Sequence, residues 1–444
     1  MGSELSIELV SHASVVIRCD GTRIWTDPWL FGSAFNNSWE LLGPAPAPPA
    51  DLDEIQFLWI SHEHPDHFHI PTLRALPQTF KDRVTVLFQR LNSHKVFDAF
   101  EKMGYSHLVT LPSRKPIRPT RSACSVYCYP VGQMDSALGV AGDGVRVLNV
   151  NDAELDGRDC RIIRKDFGAP DAVLCQFSYA GYAGDPDHEA RLTEMAEMQL
   201  QKVSEYARDL GATTSIPIAS FMYFSRDDNR YMNAHMNRPS DLVRFFEPRR
   251  QGVVVLTPGE SWTVGTPHDN AVAVKLWECE FDAVDEKEYV PSDSTDIDEL
   301  AAAFHERVAH LRAKFPRSVL RALKPITVRL TDHDLCVRVC FGSDTFEVLD
   351  DPGAVADVEM NSQPFWFWLT QPFGMQSLGT TARYRLTGEG SFRNWRRHRI
   401  VFSLDNAEFY LRPSRSAWSG NADFIRTRFT ILPHQMAYQL RRMR

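Results

Sequence analysis

The sequence has no apolar run approaching the roughly eighteen residues that a membrane-spanning helix needs. It begins at Met1 without a basic and apolar leader. No block of Lys and Arg stands out except between Arg393 and Arg399, and the formal net charge is -8 with a pI near 6.0. These absences predict a cytoplasmic protein without a membrane span and without a nucleic-acid-binding surface.

Cysteine is sparse and dispersed, and none of it has the spacing of a zinc site or of a secreted disulfide framework. The eight cysteines are Cys19, Cys124, Cys128, Cys160, Cys175, Cys279, Cys336 and Cys340. We expect them to be reduced core residues. The 444 residues are 43% hydrophobic and 24% charged, which excludes a disordered chain and predicts two globular domains.

What the sequence does contain is a dense group of imidazoles, His62-Glu63-His64-Pro65-Asp66-His67, directly after an apolar run at residues 57–60. Alternate side chains of a strand point to one side, so His62 and His64 can share a metal, and Asp66 and His67 reach a second position. Imidazole and carboxylate suit Zn, Fe or Mn, and the turn lacks the cysteine of a thiolate zinc site. The alternative is a solvated histidine-rich loop.

This turn resembles the first metal-binding motif of the metallo-β-lactamase fold. Residues 11–17 and 22–29 resemble the opening hairpin of the UlaG-like branch of that fold. In such a hairpin Asp27 would support the ligand loop, while His12 would lie near the site or be purely structural. Alternating strands and helices over the first 280 residues agree with the implied α/β class, an αββα sandwich.

The remainder of the chain predicts a second domain. Residues 282–298 are rich in Asp, Glu, Ser and Pro, so we predict a catalytic domain at 1–281, an acidic linker at 282–298 and an α+β domain at 299–444. The last is weakly similar to sterol-carrier-like modules. Its aromatic segment with Trp366 and Trp368 is either an apolar wall for a bulky substrate or simply core or a homodimer face.

A carboxylate that bridges two metals should follow a later strand. Residues 147–151 form an apolar strand that runs into Asp152, which we predict as the bridge, although aspartates are also common in ordinary turns.

Two histidines of the hydrolase pattern are missing. One should follow a strand near residue 131, where Gln133 or Asp135 would have to substitute. The other should follow residues 215–218, where Ala219 stands, and His235 is the nearest replacement with Asp227 behind it. Fewer imidazoles and more oxygen ligands leave open positions, which favour iron and dioxygen over a hydrolytic zinc pair.

A second resemblance agrees with this interpretation. Residues 27–35, 39–42, 60–67, 71–73 and 217–224 resemble CMP-N-acetylneuraminate hydroxylases, covering in order about the first 265 residues. Those hydroxylases carry an N-terminal Rieske segment that has no counterpart in this sequence, so we expect a self-contained di-iron site. The chain also resembles di-iron monooxygenases of natural-product biosynthesis on the same fold, of the platensimycin ketolide hydroxylase type.

These resemblances imply a non-heme di-iron monooxygenase of antibiotic biosynthesis. It would use two Fe ions, with Zn or Mn as alternatives, together with O2 and an external reductant, to hydroxylate an unactivated carbon. The substrate would be a bulky apolar intermediate of terpenoid or acyl-CoA type. The alternative is a binuclear metal-dependent hydrolase of a phosphoester, lactone or thioester, and a binding protein with a decayed site is less favoured.

The predicted metal ligands are His62, His64, Asp66, His67, Asp152 and His235. Possible additional ligands are Gln133, Asp135 and Asp227. Predicted supporting or pocket residues are His12, Asp27, Trp29, Tyr223 and Arg226.

Overall fold

The computed structural model describes residues 5–91, 93–119, 123–132, 134–249, 251–351 and 353–406. The strands, in chain order, are β1 (Ser6–Ser11), β2 (Ser14–Cys19), β3 (Thr22–Thr26), β4 (Ser33–Ala34), β5 (Trp39–Leu41), β6 (Phe57–Ile60), β7 (Thr85–Gln89), β8 (His107–Leu111), β9 (Ser125–Val131), β10 (Asp135–Gly142), β11 (Val145–Asn151), β12 (Ala172–Gln176), β13 (Thr214–Ile218), β14 (Met222–Phe224), β15 (Gly252–Val253), β16 (Ser261–Thr263), β17 (Ile326–Leu330), β18 (Leu335–Cys340), β19 (Thr345–Leu349), β20 (Val358–Met360) and β21 (Arg385–Leu386). The α-helices are α1 (Ile70–Ala75), α2 (Gln78–Arg83), α3 (Lys95–Lys102), α4 (Gly157–Asp166), α5 (Glu189–Leu210), α6 (Pro239–Phe246), α7 (Ala271–Asp282), α8 (Ile297–Lys314), α9 (Arg317–Arg321), α10 (Ser362–Thr370), α11 (Gly374–Thr381) and α12 (Glu389–Asn406).

Two sheets face each other in the N-terminal part of the chain. The first has the order β16-β1-β2-β3-β6-β7-β8 and the second the order β15-β13-β12-β11-β10-β9. Side chains alternate across the first sheet, so Ile17 joins the core shared with the second sheet, whereas its neighbour Val16 packs under α1 to α3. Helix α5 covers the second sheet through Val203 and Leu210. The predicted α/β class and αββα sandwich are confirmed.

The topology brings particular strand ends together. Strands β3, β6, β7 and β8 are parallel, as are β11, β12, β13 and β15. Ligands in α/β folds commonly bind beyond the carboxyl ends of such strands. Here β6 leads into the imidazole turn and β11 leads into Asp152. The same edge of the sandwich therefore carries both predicted metal-binding segments.

The C-terminal part is an α+β unit with its own core. A sheet of order β19-β18-β17-β20-β21 packs against α8, α10 and α12 around residues between Leu300 and Phe402. Trp368 is fully buried in this core, 5.3 Å from Trp395 and 5.7 Å from Phe402 between ring centroids. Trp368 is thus a packing residue rather than a pocket wall.

The segment predicted as an acidic linker is attached to both parts. Its Val290 N–H donates to the carbonyl of Ser225 at 3.0 Å, and its Ser292 hydroxyl donates to Asp228 at 2.9 Å. Arg383 of the C-terminal part donates through Nε to both carboxylate oxygens of Asp228, at 2.9 and 3.0 Å. The domain boundaries themselves and the likeness to sterol-carrier modules stay predictions, and residues 407–444 lie outside the described part.

Two expectations about composition can be compared with the structure. Among the described residues no helix combines the length and apolar character needed to cross a membrane. Six cysteines are buried free thiols, as predicted, but Cys279 is exposed and Cys340 is half-buried. Cys279 differs because it lies on the outward face of α7, whose buried side chains include Ala273 and Trp277.

Candidate metal centre

The imidazole turn is held at the end of a buried strand. Strand β6 lies between β3 and β7, and all four of its residues are buried. After Ile60 the backbone closes a tight turn, in which the N–H groups of His67 and Phe68 donate to the carbonyl of His64 at 3.0 and 2.7 Å. The apolar strand therefore fixes the start of the turn, and the turn brings its own side chains close together.

Two of the turn's imidazoles form a first group with a carboxylate from the second sheet. His62, His64 and Asp152 each offer one ligand atom, and these atoms lie within 4.8 Å of one another. His62 Nε2 is 2.7 Å from His64 Nδ1 and 3.6 Å from Asp152 Oδ2. We call these three residues the open group, because His64 and Asp152 are partly exposed.

A second group lies deeper. Asp66 Oδ2 is 3.2 Å from His67 Nε2 and 3.3 Å from His12 Nε2, and all three residues are buried. His12 comes from the turn between β1 and β2. We call His12, Asp66 and His67 the closed group. The sequence prediction gave His12 only a supporting role, but the structure places its imidazole among the candidate ligands.

Asp152 lies between the two groups. Its Oδ2 faces His62 Nε2 at 3.6 Å, and its Oδ1 faces His67 Nε2 at 3.4 Å. Asp135, at the start of β10, approaches the open group, with Oδ1 4.0 Å from His62 Nε2. A carboxylate with one oxygen toward each group has the geometry that a bridging ligand requires.

The Nδ1 atoms of His62 and His67 also have close polar neighbours. Asp27 is fully buried, and its Oδ2 lies 2.9 Å from His67 Nδ1 while its Oδ1 accepts the N–H of Ser61 at 2.8 Å. Ser61 Oγ lies 2.9 Å from His62 Nδ1 and 3.1 Å from His67 Nδ1. Such outer contacts orient a metal-binding imidazole. Ser61 was missed because a serine before a histidine has no distinctive sequence pattern.

Several buried polar atoms in these groups lack a hydrogen-bond partner among the described residues, namely His12 Nδ1, Asp66 Oδ1, His67 Nε2 and Asp152 Oδ1. Most buried polar atoms in proteins are paired, so an unpaired set at one place needs an explanation. A cation bound between the imidazole and carboxylate atoms would supply the missing partner for His67 Nε2 and Asp152 Oδ1. The residues present therefore fit a metal centre.

The electrostatics of the two groups differ. Burial lowers the pKa of His62 and of His64, so these imidazoles are neutral at pH 7. Burial also acts to lower the pKa of His67, but the carboxylates of Asp152, Asp66 and Asp27 outweigh it and raise that pKa well above its usual value. Despite burial, the nearby imidazoles hold the pKa of Asp66 and of Asp152 below the usual range. Ionised carboxylates and neutral imidazoles are the forms that bind cations, so a cation at the closed group would take the place of the His67 proton.

His235 and Asp227, which the sequence predicts as ligands, are not part of either group. His235 ends a 3₁₀ helix (Arg230–His235), and its Nδ1 lies 3.2 Å from Thr193 Oγ1 on α5. Asp227 is exposed, and its N–H donates to the carbonyl of Val290 at 3.4 Å. Gln133 lies outside the described residues. The nearness of His235 in sequence to β13 therefore did not bring its side chain into the candidate centre.

The predicted pocket residues have three different positions. Trp29 is buried beside the closed group, with its ring centroid 5.4 Å from that of His12. The Tyr223 hydroxyl donates to Glu40 at 2.7 Å, and Tyr223 lines a small cleft that contains none of the candidate ligands. Arg226 is buried and donates to the carbonyls of Asn37 and Pro291 at 2.9 and 2.6 Å. Arg226 therefore fastens loops and does not offer a free charge to a substrate.

The fold and this arrangement define a metallo-β-lactamase-fold protein with a candidate two-metal centre. Residues 6–158 match the model of the beta-lactamase superfamily domain. The match includes both halves of the candidate centre, from His12 to Asp152.

Among curated proteins, the chain is 25% identical over 282 residues to a Mycobacterium tuberculosis protein provisionally named a Rieske 2Fe-2S iron-sulfur protein, covering 58% of this chain and 53% of that protein. It is 39% identical over 80 residues to the cytidine monophosphate-N-acetylneuraminic acid hydroxylase of Asterias rubens, covering 18% and 12%. The predicted resemblance to these hydroxylases is confirmed. The matched region spans about half the length of the mycobacterial relatives.

Solved structures give a weaker likeness. The diiron β-hydroxylase CmlA of Streptomyces venezuelae matches with a TM-score of 0.42 at 16% identity, covering 59% of this chain and 55% of that one. The metallo hydrolase Igni18 of Ignicoccus hospitalis matches with a TM-score of 0.42 at 15% identity, covering 59% and 99%. Likeness at this level does not distinguish a hydroxylase from a hydrolase.

Proposed function

We propose that the protein is a non-heme di-iron monooxygenase. The observation that carries the proposal is the position of Asp152, whose two oxygens face His62 Nε2 at 3.6 Å and His67 Nε2 at 3.4 Å. With Asp152 between them, the open and closed groups would each hold one iron through two imidazoles and one or two carboxylates. Mixed imidazole and carboxylate sets with open positions suit iron.

In such a centre, bound iron would supply the activation of O2 that allows insertion of oxygen into an unactivated C–H bond. The chain's own residues keep the ligands in place. Asp27 at 2.9 Å from His67 Nδ1 favours the tautomer that leaves His67 Nε2 free to bind a cation. Ser61 Oγ at 2.9 Å from His62 Nδ1 holds the orientation of that ring. Burial of the closed group excludes water from its ligands.

An apolar substrate suits the surroundings of the open group. The ring of Phe35 lies 5.8 Å from that of His64 and 4.5 Å from that of Trp39, and both aromatic residues are buried in one cluster. Arg226 is engaged by carbonyl oxygens and is not available for an anionic substrate. We propose a bulky apolar biosynthetic intermediate of terpenoid or acyl-CoA type, as in antibiotic biosynthesis, and an external electron donor in the cytoplasm. A homodimer is part of the same proposal.

The sequence similarity supports a hydroxylase over a hydrolase. The segment shared with the Asterias rubens hydroxylase is 39% identical over 80 residues. The alignment covers 18% of this chain, so it supports the class of reaction and says nothing about the substrate.

The test begins with metal content. The protein is expressed with iron and zinc both supplied, metals are counted per chain, and the reduced protein is exposed to O2 while its absorption spectrum is followed. We expect about two irons per chain and a spectral change that Asp152→Ala abolishes. The matched control is His268→Gln, because His268 pairs with Glu260 at 3.0 Å and belongs to neither group.

The alternative has a different outcome. Two tightly held zinc ions, no response to O2 and hydrolysis of phosphoester, lactone or thioester probes would replace the monooxygenase with a binuclear hydrolase. A protein that takes up no metal from either supply would contradict both functions.

A further inference from the structure

Glu63 is the residue of the imidazole turn that belongs to neither ligand group. It stands between His62 and His64, and its side chain is only 12% exposed. Its Oε1 lies 2.7 Å from Lys95 Nζ, while its Oε2 is buried without a hydrogen-bond partner among the described residues. Burying a carboxylate is costly unless it is paired, so the ammonium of Lys95 is the group that keeps Glu63 in this position.

Lys95 has a second set of contacts, with the C-terminal part of the chain. It is the first residue of α3, and its Nζ donates to Asn406 Oδ1 at 3.2 Å and to the Asn406 carbonyl at 3.4 Å. Asn406 is the last described residue of α12. The ammonium thus lies between the Glu63 carboxylate and the oxygen atoms of Asn406.

The neighbouring residue of α12 is itself fixed. The Asp405 side chain is fully buried and contacts three side chains of α8, with Arg307 Nη2 at 2.7 Å, Lys314 Nζ at 2.8 Å and His310 Nε2 at 3.0 Å. These ion pairs hold Asp405, and with it the adjacent Asn406, to the core of the C-terminal part. A chain of polar contacts therefore runs from α8 through Asp405, Asn406 and Lys95 to Glu63.

We propose that Lys95 is a positioning residue through which the C-terminal part holds the imidazole turn in its metal-binding geometry. The inference rests on the proposed metal centre. It assigns to the C-terminal part the role of stabilising the imidazole turn. By fixing Glu63, Lys95 restrains the backbone between His62 and His64, whose Nε2 and Nδ1 atoms are 2.7 Å apart. Loss of the contact would let the two imidazoles separate and would weaken metal binding at the open group.

A purely electrostatic effect of Lys95 predicts the opposite sign. A cation near a metal site repels the metal, so removing its charge would tighten metal binding. Positioning through Glu63 predicts weaker binding when the same charge is removed. The direction of the change in metal affinity therefore separates the two effects.

The experiment uses the full chain loaded with Co²⁺, whose visible absorption reports ligand geometry, and follows release of Co²⁺ to a chelator. Lys95→Met should speed release from one of the two positions by about tenfold, the lower end of the range for groups that hold metal ligands. It should also alter the Co²⁺ band, and Lys95→Arg should restore most of both. The control is Lys81→Met, since Lys81 is buried and donates to the carbonyl of Arg74 at 2.7 Å.

A double-mutant cycle tests the link to the C-terminal part. Asn406→Ala should also speed Co²⁺ release, and combining it with Lys95→Met should add little, because both changes break the same contact. Circular dichroism establishes that each variant is folded, and Asn406→Ala provides the test if Lys95→Met does not fold. Additive effects of the two changes would remove the link between Asn406 and Lys95.

The possible failures are distinguishable. Wild-type protein that binds two Co²⁺ ions while Lys95→Met releases them at the wild-type rate, or more slowly, would overturn this inference and leave the proposed function intact. Wild-type protein that binds no metal would overturn the proposed function and this inference together.

Discussion

The open and closed groups contain the same kinds of side chain in different surroundings. In the closed group His12, Asp66 and His67 are all buried, and Asp27 supports His67 from the far side of its ring. In the open group His64 and Asp152 are partly exposed, and the ring of Phe35 lies beside His64. Water and ligands reach the open group more easily. We infer that the closed group serves to retain a metal and the open group to meet O2 and substrate.

The largest effect is expected at Asp152, which belongs to the open group and also faces His67 of the closed group. Asp152→Asn keeps the size of the side chain but removes the charge that faces His62 and His67. We expect metal content to fall from about two ions per chain to fewer than one, because both positions lose a carboxylate. Elemental analysis after gel filtration measures this change.

Asp135→Asn is the matched control for that variant. Asp135 Oδ1 lies 4.0 Å from His62 Nε2, and Asp135 belongs to neither group, so its change should leave the closed group loaded. Equal metal loss in the two variants would show that Asp152 has no special position between the groups.

The second prediction concerns the closed group alone. His12→Gln should remove about one metal ion per chain and leave the other, because His12 Nε2 lies 3.3 Å from Asp66 and belongs to that group only. His235→Gln, at the position predicted from the sequence, should keep both ions. Metal counts on the two variants decide between them, and loss of metal in His235→Gln alone would restore the original assignment.

His12 and His235 show which part of the candidate centre the sequence does not predict. The imidazole turn, its preceding strand and Asp152 follow from local sequence pattern. His12 depends on a long-range contact, since its carbonyl accepts the N–H of Ala219 at 2.8 Å. No pattern within either segment specifies this pairing. His235 was chosen because it is near Ala219 along the chain, which is a poor guide to nearness in space.

Arg226 and Lys95 illustrate the same limit for charged residues. Arg226 was a candidate for substrate binding, yet two backbone carbonyls occupy its guanidinium. No sequence pattern predicts a role for Lys95, because its partners Glu63 and Asn406 are far apart along the chain. A charged residue's role depends on partners that only the folded chain brings to it. The class of fold and the ligand turn were predictable, and the contacts around them were not.

Asp27 lies beside His67, so its substitution should affect the closed group more than the open group. Asp27→Asn removes the negative charge 2.9 Å from His67 Nδ1, and asparagine tolerates the φ of +42 found at this position. We expect metal affinity at the closed group to fall by about 10-fold to 100-fold, as for other partners of metal-binding histidines. Competition titration with a chromophoric chelator measures the two sites separately. An equal loss at both sites would contradict the assignment of Asp27 to the closed group.

The smallest effect is expected in metal-free protein, where the two groups should shift stability with pH in opposite directions. The pKa of His62 and of His64 is lowered by folding, so below about pH 6.5 the unfolded chain takes up protons that the folded protein does not. The free energy of unfolding should therefore fall as the pH drops. The pKa of His67 is raised in the folded protein, so its contribution is complete below about pH 6.5 and is lost as the pH rises through that higher value.

Urea unfolding at a series of pH values checks this behaviour in wild-type protein, His62→Gln and His67→Gln. His67→Gln should lose the decline in stability on the alkaline side, and His62→Gln should reduce the decline on the acid side. Metal loading should remove the decline on the alkaline side, because a bound cation takes the place of the His67 proton. It should steepen the decline on the acid side, because the unfolded chain still takes up protons that the loaded protein does not. If the two variants kept the wild-type profile, the groups would be electrostatically alike, and the division into a closed and an open group would rest on exposure alone.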